Sequence, residues 1–172
     1  MNISFKKVPF EQADELLKIA KETFIHTYSH LNDPEQFSIY VNQTFTSRNI
    51  NAQLNNAQTH YYFGLVENNT VSYCQLLESP HQTDLNTAHS LEIARFYILD
   101  NWKGKGIGGA MMGFIKELAM ELGKTEIWLG VWEKNLAGIS FYEKMNFSHT
   151  GAHSFMIGSD EQTDFIMKYS PR

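Results

Sequence analysis

Apolar and polar positions along the chain change period several times, and each change predicts an element. Residues 3–8 alternate in the manner of a strand, and after Pro9 the apolar set Leu16, Leu17, Ile19, Ala20 and Phe24 recurs at helical spacing. Asp33 followed by Pro34 predicts an N-cap and a first-turn proline for a short helix through Phe37, Tyr40 and Val41. Ser47 is expected to cap a third helix through Ile50 and Leu54. Residues 61–67 and 70–77 read as a hairpin turning at Asn68-Asn69, with a polar loop over 78–89 behind it. From Leu91 a strand runs into a glycine-rich loop, a helix beginning near Ile107, a strand over 125–132 and a further helix. Along the first of these helices Ile107, Ala110, Met111, Phe114, Ile115, Leu118, Ala119 and Leu122 make one apolar face, and Gly123 supplies the stop. Residues 153–157 and 164–169 read as a closing hairpin around Gly158-Ser159-Asp160.

Strand, helix, strand from Leu91 is a βαβ unit, which demands parallel strands and a right-handed crossover. Joined to the antiparallel front, it predicts an α/β fold: one mixed sheet with helices on both faces. No repeat, low-complexity segment or Pro/Gly/Ser-rich linker divides the chain, so residues 1–172 are expected to form one domain.

Charge narrows the partners. Lys and Arg number 14 against 19 Asp and Glu, a net charge of −5, which argues against a nucleic-acid partner and favours cationic small molecules. With no apolar run long enough to span a bilayer and no charged-plus-apolar leader, a cytoplasmic protein without a membrane partner is expected. Exposed sheet edges leave a homodimer open. Cys74 is the single cysteine and lies in a strand-like run, where a packed core thiol is the expectation. His26 and His30 are four apart, but no H-E-x-x-H string accompanies them and no metal is expected.

The chemistry concentrates where the strand from Leu91 opens into glycines. Gly104, Gly106, Gly108 and Gly109 let the backbone turn tightly and bring amides up to an anion, and the helix starting near Ile107 adds unpaired N–H groups and the positive end of its dipole. That is a phosphate site. The string is not a P-loop, for no Gly-Lys-Ser/Thr follows four residues after a glycine. Residues 104–109 satisfy G-x-G-x-x-G, but a dinucleotide fingerprint follows its strand at once and opens the fold, whereas this one lies about two-thirds along the chain.

The flanks discriminate. Ile98-x-Asp100-x-x-Lys103-Gly104-Lys105-Gly106-Ile107-Gly108 resembles the acetyl-CoA signature of the GNAT superfamily of N-acetyltransferases, commonly V-x-P-x-x-Q/R-x-x-G-x-G/A, with Asp100 in place of Pro and Lys103 in place of Gln or Arg. After the next strand, Asn135-Leu136-Ala137-Gly138-Ile139-Ser140-Phe141-Tyr142-Glu143-Lys144-Met145-Asn146-Phe147 resembles that superfamily's N-x-x-A-x-x-F-Y-x-K-x-G-F segment, with Gly138 for Ala and Asn146 for Gly. Asn is the next-best residue in the left-handed conformation at a helix end, so the second change is mild.

The resemblance implies an acetyl-CoA-dependent N-acetyltransferase acting on a primary amine. It implies that the pantetheine arm bonds to the main chain of Phe96, Tyr97 and Ile98 and reaches Asn135. The pyrophosphate would meet the amides of Gly104, Lys105, Gly106, Ile107, Gly108 and Gly109, with charge from Lys103 or Lys105 and a contact from Lys144 to the nucleotide. Tyr142 is implied as the acid that protonates the departing thiolate. Glu92 lies eleven residues before Lys103, the spacing at which related histone acetyltransferases carry their basic glutamate. Strand alternation places Glu92 with Ala94, Phe96 and Ile98, where burial would raise its pKa. Ordered water is the other base open to such enzymes. The segments around Thr23–Tyr28 and His153–Met167 resemble bacterial spermidine/spermine acetyltransferases of the PaiA type, which implies a polyamine acceptor. A peptide or ribosomal-protein N-terminal acetyltransferase, a CoA-binding regulator without turnover and a dinucleotide-binding module are the alternatives.

Overall fold

The computed structural model describes residues 2–170. Its strands are β1 (Ile3–Lys7), β2 (Thr59–Val66), β3 (Asn69–Leu77), β4 (Ser90–Ile98), β5 (Glu126–Trp132), β6 (Ser148–Ile157) and β7 (Asp160–Tyr169). They form one seven-stranded sheet in the order β1-β2-β3-β4-β5-β7-β6. β4 and β5 run parallel, and the other neighbouring pairs are antiparallel. The helices are α1 (Ala13–Tyr28), α2 (Pro34–Thr44), α3 (Ser47–Leu54), α4 (Ile107–Glu121) and α5 (Leu136–Lys144). One core joins Leu16, Ile19, Phe24, Phe37 and Ile50 of α1–α3 to Tyr61, Phe63 and Tyr73 of the sheet. A second, on the opposite face, joins Met111, Met112 and Ile115 of α4 to Cys74, Leu76, Leu91 and Ile127. The expected mixed sheet with helices on both faces is therefore the observed one. Cys74 is fully buried in that second core, and burial pushes its thiol up to about 12. No helix among the described residues is long and apolar enough to cross a membrane.

Local chemistry sets most boundaries. Asp33 Oδ1 accepts from the amides of Glu35 and Gln36 at 3.1 and 3.0 Å, with Pro34 opening α2. The cap of α3 is Thr46, one residue before the expected Ser47: Thr46 holds extended backbone and its hydroxyl accepts from Asn49 N at 3.2 Å. The β2–β3 hairpin likewise turns one residue early, at Glu67 (φ 50°) and Asn68 (φ 64°), because a tight primed turn needs positive φ at both central positions. β6 begins at Ser148 rather than near His153. Its first residues are polar because the strand lies at the sheet edge with alternate positions exposed, and such a stretch carries little apolar signal.

Two irregularities shape the middle of the sheet. Between β3 and β4 the register runs Gln75↔Arg95 and then Leu76↔Ile93, so Ala94 is an extra residue with no partner on β3. A bulge of one residue shifts alternation by one, and this overturns the expected grouping of Glu92 with Phe96 and Ile98. Leu91, Ile93, Phe96 and Ile98 all pack toward α4. Glu92, Arg95 and Tyr97 are left on the face of α1–α3. The second irregularity is that β4 pairs with β5 only through Ser90↔Glu126, Leu91↔Ile127 and Glu92↔Trp128, after which the two strands splay.

Candidate active site

The splay leaves the β5-facing edge of residues 93–98 without a neighbouring strand, while their other edge stays bonded to β3. A cavity of about 470 Å³ fills the gap, bordered by that stretch of β4, by Gly130 and Val131 of β5, and by Asn135, Phe141 and Tyr142 around α5. Backbone donors and acceptors on such an edge need partners, and an extended amide-bearing chain supplies them in the way a strand would.

Beyond β4 the chain makes a turn at Asp100–Trp102 and then the glycine loop. Gly104 (φ 73°) and Gly106 (φ 82°) adopt the left-handed conformation, and a Cβ at either would meet nothing within 4 Å. Gly106 is the N-cap of α4 and offers no side chain, so the first amides of the helix keep their bonding capacity. Gly109 is open and exposed as well. Gly108 differs from its neighbours: a Cβ there would lie 3.2 Å from Phe141 and 3.3 Å from Ile98. Its smallness lets α4 pack closely on the sheet. Ile107 is buried and anchors the start of the helix. Lys103 pairs with Asp100 at 2.8 Å and borders the cavity, whereas Lys105 rides over the Trp102 ring at 4.8 Å. Asp100, the residue that departs from the family Pro, also lies 3.2 Å from His26 Nε2.

Around α5 the side chains divide. Asn135 caps the helix, its Oδ1 accepting from Gly138 N at 3.0 Å. A Cβ at Gly138 would fall 2.7 Å from Asn135 Nδ2, so the glycine at this position gives the cap its room. Tyr142 stands against Phe96 (ring centroids 6.2 Å) and Phe141 (5.4 Å) and borders the cavity. No hydrogen bond among the described residues ties up its hydroxyl, and burial holds its pKa well above the ordinary phenol value. Lys144 does not join this group. It is exposed in the last turn of α5 and borders none of the cavities described here, where its charge complements the helix dipole.

On the other side of the splay a second cavity, about 550 Å³, is walled by Phe24, Tyr28, Tyr40, Trp132 and Phe155 and holds Arg95 and Asp164. A third, about 330 Å³, adjoins it and contains Glu92, Asp84, His153 and Asp164. Ala94, the bulged residue, and Gly130 border all three cavities. Both lack a side chain beyond Cβ, so the three cavities share the bulge of one strand and the glycine of the next as a common border.

Glu92 is 3% exposed and both its oxygens are engaged: Oε2 accepts from Thr83 N and Oε1 from Thr83 Oγ1, each at 2.6 Å. Burial raises its pKa against the lowering effect of those bonds. His153 is arranged differently. Its Nδ1 lies 2.9 Å from Asp84 Oδ2, and since a carboxylate only accepts, Nδ1 carries the proton of that bond. In the neutral imidazole Nε2 is then the bare nitrogen, and it lies 4.0 Å from Asp164 Oδ2 beside Gly130. Desolvation raises the pKa of Asp164, opposed by His153. Sequence reasoning did not single out Arg95, Asp84, His153 or Asp164 as site residues. Arg95 carried one signal, a lone cation inside an apolar strand; the other three come together only through the β6–β7 hairpin and the 78–89 loop. Gln82 seats that loop, bonding Ser90 O at 2.8 Å and accepting from Trp128 Nε1 at 3.2 Å.

Residues 13–147 match the model of the Acetyltransferase (GNAT) family. The chain belongs to that family. It is 29% identical over 168 residues to an uncharacterised N-acetyltransferase of Lactobacillus delbrueckii subsp. lactis, covering 98% of this chain and 94% of that one. It is 21% identical to the spermidine N(1)-acetyltransferase of Thermoplasma acidophilum, over 98% of this chain and 97% of the other. The crystal structure of the PaiA N-acetyltransferase from Thermoplasma acidophilum in complex with coenzyme A superposes with a TM-score of 0.81 at 20% identity, over 99% of this chain and 100% of that chain, and so shares the fold. As a GNAT acetyltransferase, the protein transfers acetyl groups from acetyl-CoA. The unpaired edge of β4 and the open amides at Gly104–Gly109 fit that cosubstrate's amide-bearing arm and diphosphate.

Proposed function

We propose that the protein acetylates the primary amine of a small molecule, with acetyl-CoA on the splayed side of β4 and the acceptor in the aromatic cavity opposite. The observation that carries this reading is the border at Ala94 and Gly130 that the cavity of Tyr142 shares with those of Asp164 and His153. Phe96, Tyr97 and Ile98 offer main-chain groups and Asn135 a side-chain amide to the arm. The amides from Gly104 to Gly109 receive the diphosphate, with Lys103 nearest to add charge and Lys105 beside it.

The acceptor ammonium must lose a proton before it attacks. Nε2 of His153, oriented by Asp84, is the acceptor with a free lone pair; Glu92 in the same cavity has the raised pKa a base needs but meets Thr83 with both oxygens. The amine nitrogen forms its bond to the acetyl carbon as the carbon–sulfur bond breaks, and the Tyr142 hydroxyl gives its proton to the departing thiolate. Burial keeps that phenol protonated at neutral pH.

A polyamine is the acceptor that the relatives' names support: besides the Thermoplasma protein, the Bacillus subtilis spermine/spermidine N(1)-acetyltransferase is 28% identical over 102 residues. Asp164 and Asp84 would attract such a substrate, and kcat/KM on spermidine should then fall as salt screens them. Arg95 in the same cavity favours a different class, argued below.

The test is incubation of the pure protein with acetyl-CoA and a panel of polyamines, amino acids, aminoglycosides and peptides, with released thiol and acetylated product both measured. Amine-dependent thiol release supports the reading. Tight acetyl-CoA binding with no release for any amine would identify a regulator, peptides as the best acceptors a peptide acetyltransferase, and tight NAD binding a dinucleotide module.

A further inference from the structure

The acceptor cavity contains a cation that no carboxylate among the described residues pairs with. Arg95 follows the bulge at Ala94 and is turned by it to the face of α1–α3. Its guanidinium stacks on Phe45 at 4.5 Å from the ring centre. Among the described residues it makes no ion pair, although seven pairs of opposite charge are formed elsewhere. The phenols of Tyr40, Tyr61, Tyr73 and Tyr97 stand around it, and the buried hydroxyl of Tyr73 meets no partner in good hydrogen-bond geometry. Arginine cannot shed its charge, and withdrawing an unpaired guanidinium from water is costly unless an anion meets it. Arg95 is also the one Lys or Arg bordering this cavity, and Asp164 borders it too. The two do not pair. Asp164 belongs as well to the adjoining cavity with His153, where the reacting amine is expected, whereas Arg95 lies over Phe45 and does not border that cavity.

We infer that Arg95 anchors a carboxylate of the acceptor, so that the substrate is an amino carboxylate held with its amine at Asp164 and His153 and its acid at Arg95. The inference rests on the reading of this cavity as the acceptor site. A guanidinium presents a planar fork that matches a carboxylate with two parallel bonds. A phosphate ester carries nearly two charges and would need donors beyond this single cation. A polyamine would place an ammonium against Arg95 with no compensating anion there. The aromatic walls of Phe24, Tyr40 and Phe155 suit an apolar or aromatic body between the two charged ends.

The test uses acceptors that differ by the carboxylate alone: phenylalanine against phenethylamine, tyrosine against tyramine, lysine against cadaverine and ornithine against putrescine, with phosphoethanolamine and spermidine alongside. In the wild type the best acceptor should be a carboxylate, at least about tenfold ahead of its partner in kcat/KM. Arg95→Met should bring that ratio to near unity through KM, and Arg95→Lys should restore part of it. Because each ratio is taken within one protein, loss of folded material does not distort it, and the wild-type ratio stands even if a variant fails to fold. Binding of N-acetylphenylalanine and N-acetyltyrosine in the presence of CoA, by calorimetry, reads the same contact without turnover and should be lost in Arg95→Met. Higher wild-type kcat/KM on the decarboxylated amines, spermidine or phosphoethanolamine overturns the carboxylate anchor and leaves the acetyltransferase reading intact. No turnover with any amine overturns that reading; the anchor then stands or falls on whether the N-acetyl amino acids bind in an Arg95-dependent way.

Discussion

His153 Nε2 lies 3.2 Å from the point at which a Cβ on Gly130 would sit, so the imidazole occupies space that any larger residue in β5 would contest. Asp84 holds the ring from its far side at 2.9 Å. Gly130→Ala is therefore expected to displace His153, and His153→Gln to remove the base outright. Each should lower kcat, by about 10²-fold or more for His153→Gln. The double variant should be no worse than His153→Gln alone, since both act through one geometry. Steady-state kinetics of the four proteins checks this, and additive losses would separate the two residues.

Glu92 gives a competing prediction. Its pKa is raised, so if it is the base the acid limb of the kcat/KM profile lies above the ordinary carboxylate range and vanishes in Glu92→Gln. If His153 is the base, Glu92→Gln keeps the limb and His153→Gln abolishes it. In either case Glu92→Gln should lower stability by about 1–3 kcal/mol, because the new amide presents a donor where Thr83 also donates. Urea unfolding and the pH–rate profile read the two effects separately.

Tyr142→Phe keeps the ring between Phe96 and Phe141 and removes only the hydroxyl. Turnover should drop by roughly 10²–10⁴-fold while the Kd for acetyl-CoA changes little. Near wild-type turnover with chemistry rate-limiting would return Tyr142 to packing.

Gly109 and Gly108 should respond oppositely. Gly109→Glu adds bulk and negative charge at an open position of helical backbone, so it should weaken acetyl-CoA binding by about 10²-fold without unfolding the protein. Gly108→Ala presses on Phe141 and Ile98 and should cost stability, about 1–3 kcal/mol, before it costs affinity. Calorimetric titration with acetyl-CoA and thermal unfolding of both variants distinguish these effects.

Glu78 supplies a pH-dependent part of the stability. Burial would raise its pKa, but Lys124 at 2.6 Å and His60 at 2.8 Å hold it below the ordinary value. A depressed carboxyl contributes stability that is fully present above its unfolded pKa of about 4.5 and fades as pH falls through the lowered folded value. Lys124→Met should therefore destabilise by about 1–3 kcal/mol at pH 7, and the difference from wild type should shrink on acidification below about pH 4. Denaturant midpoints measured across that range check the sign.

Much of this molecule could be read along the chain because the features concerned are local. Helix caps, the αL residues at Gly106, Gly123 and Asn146, and the apolar face of α4 depend on neighbours within a few residues, and they fell where spacing placed them or one residue away. On α4 the contacts were less local. Met112 is buried although it lay off the expected face, and Leu122 at the helix end is 37% exposed although it lay on it. The glycine loop and the α5 motif were likewise sufficient, through their resemblance to the family's signatures, to place the fold and the acetyl-transfer chemistry.

Other features were decided by the register of strands distant in sequence. Whether Ala94 pairs with β3 or bulges depends on how β3 and β4 align, and that single residue sends Glu92 and Arg95 to the face of α1–α3 and leaves Phe96 under α4. His153 meets Asp84 across 69 positions and Gly130 across the β5–β7–β6 order, contacts that exist only once the hairpin has docked. The sequence alone determined the elements and, through the resemblance of its two motifs, the family. The aromatic cavity and its opposed charges, Arg95 and Asp164, followed only from tertiary structure, because strand register and burial are properties of the assembled sheet and leave no short-range mark in the chain.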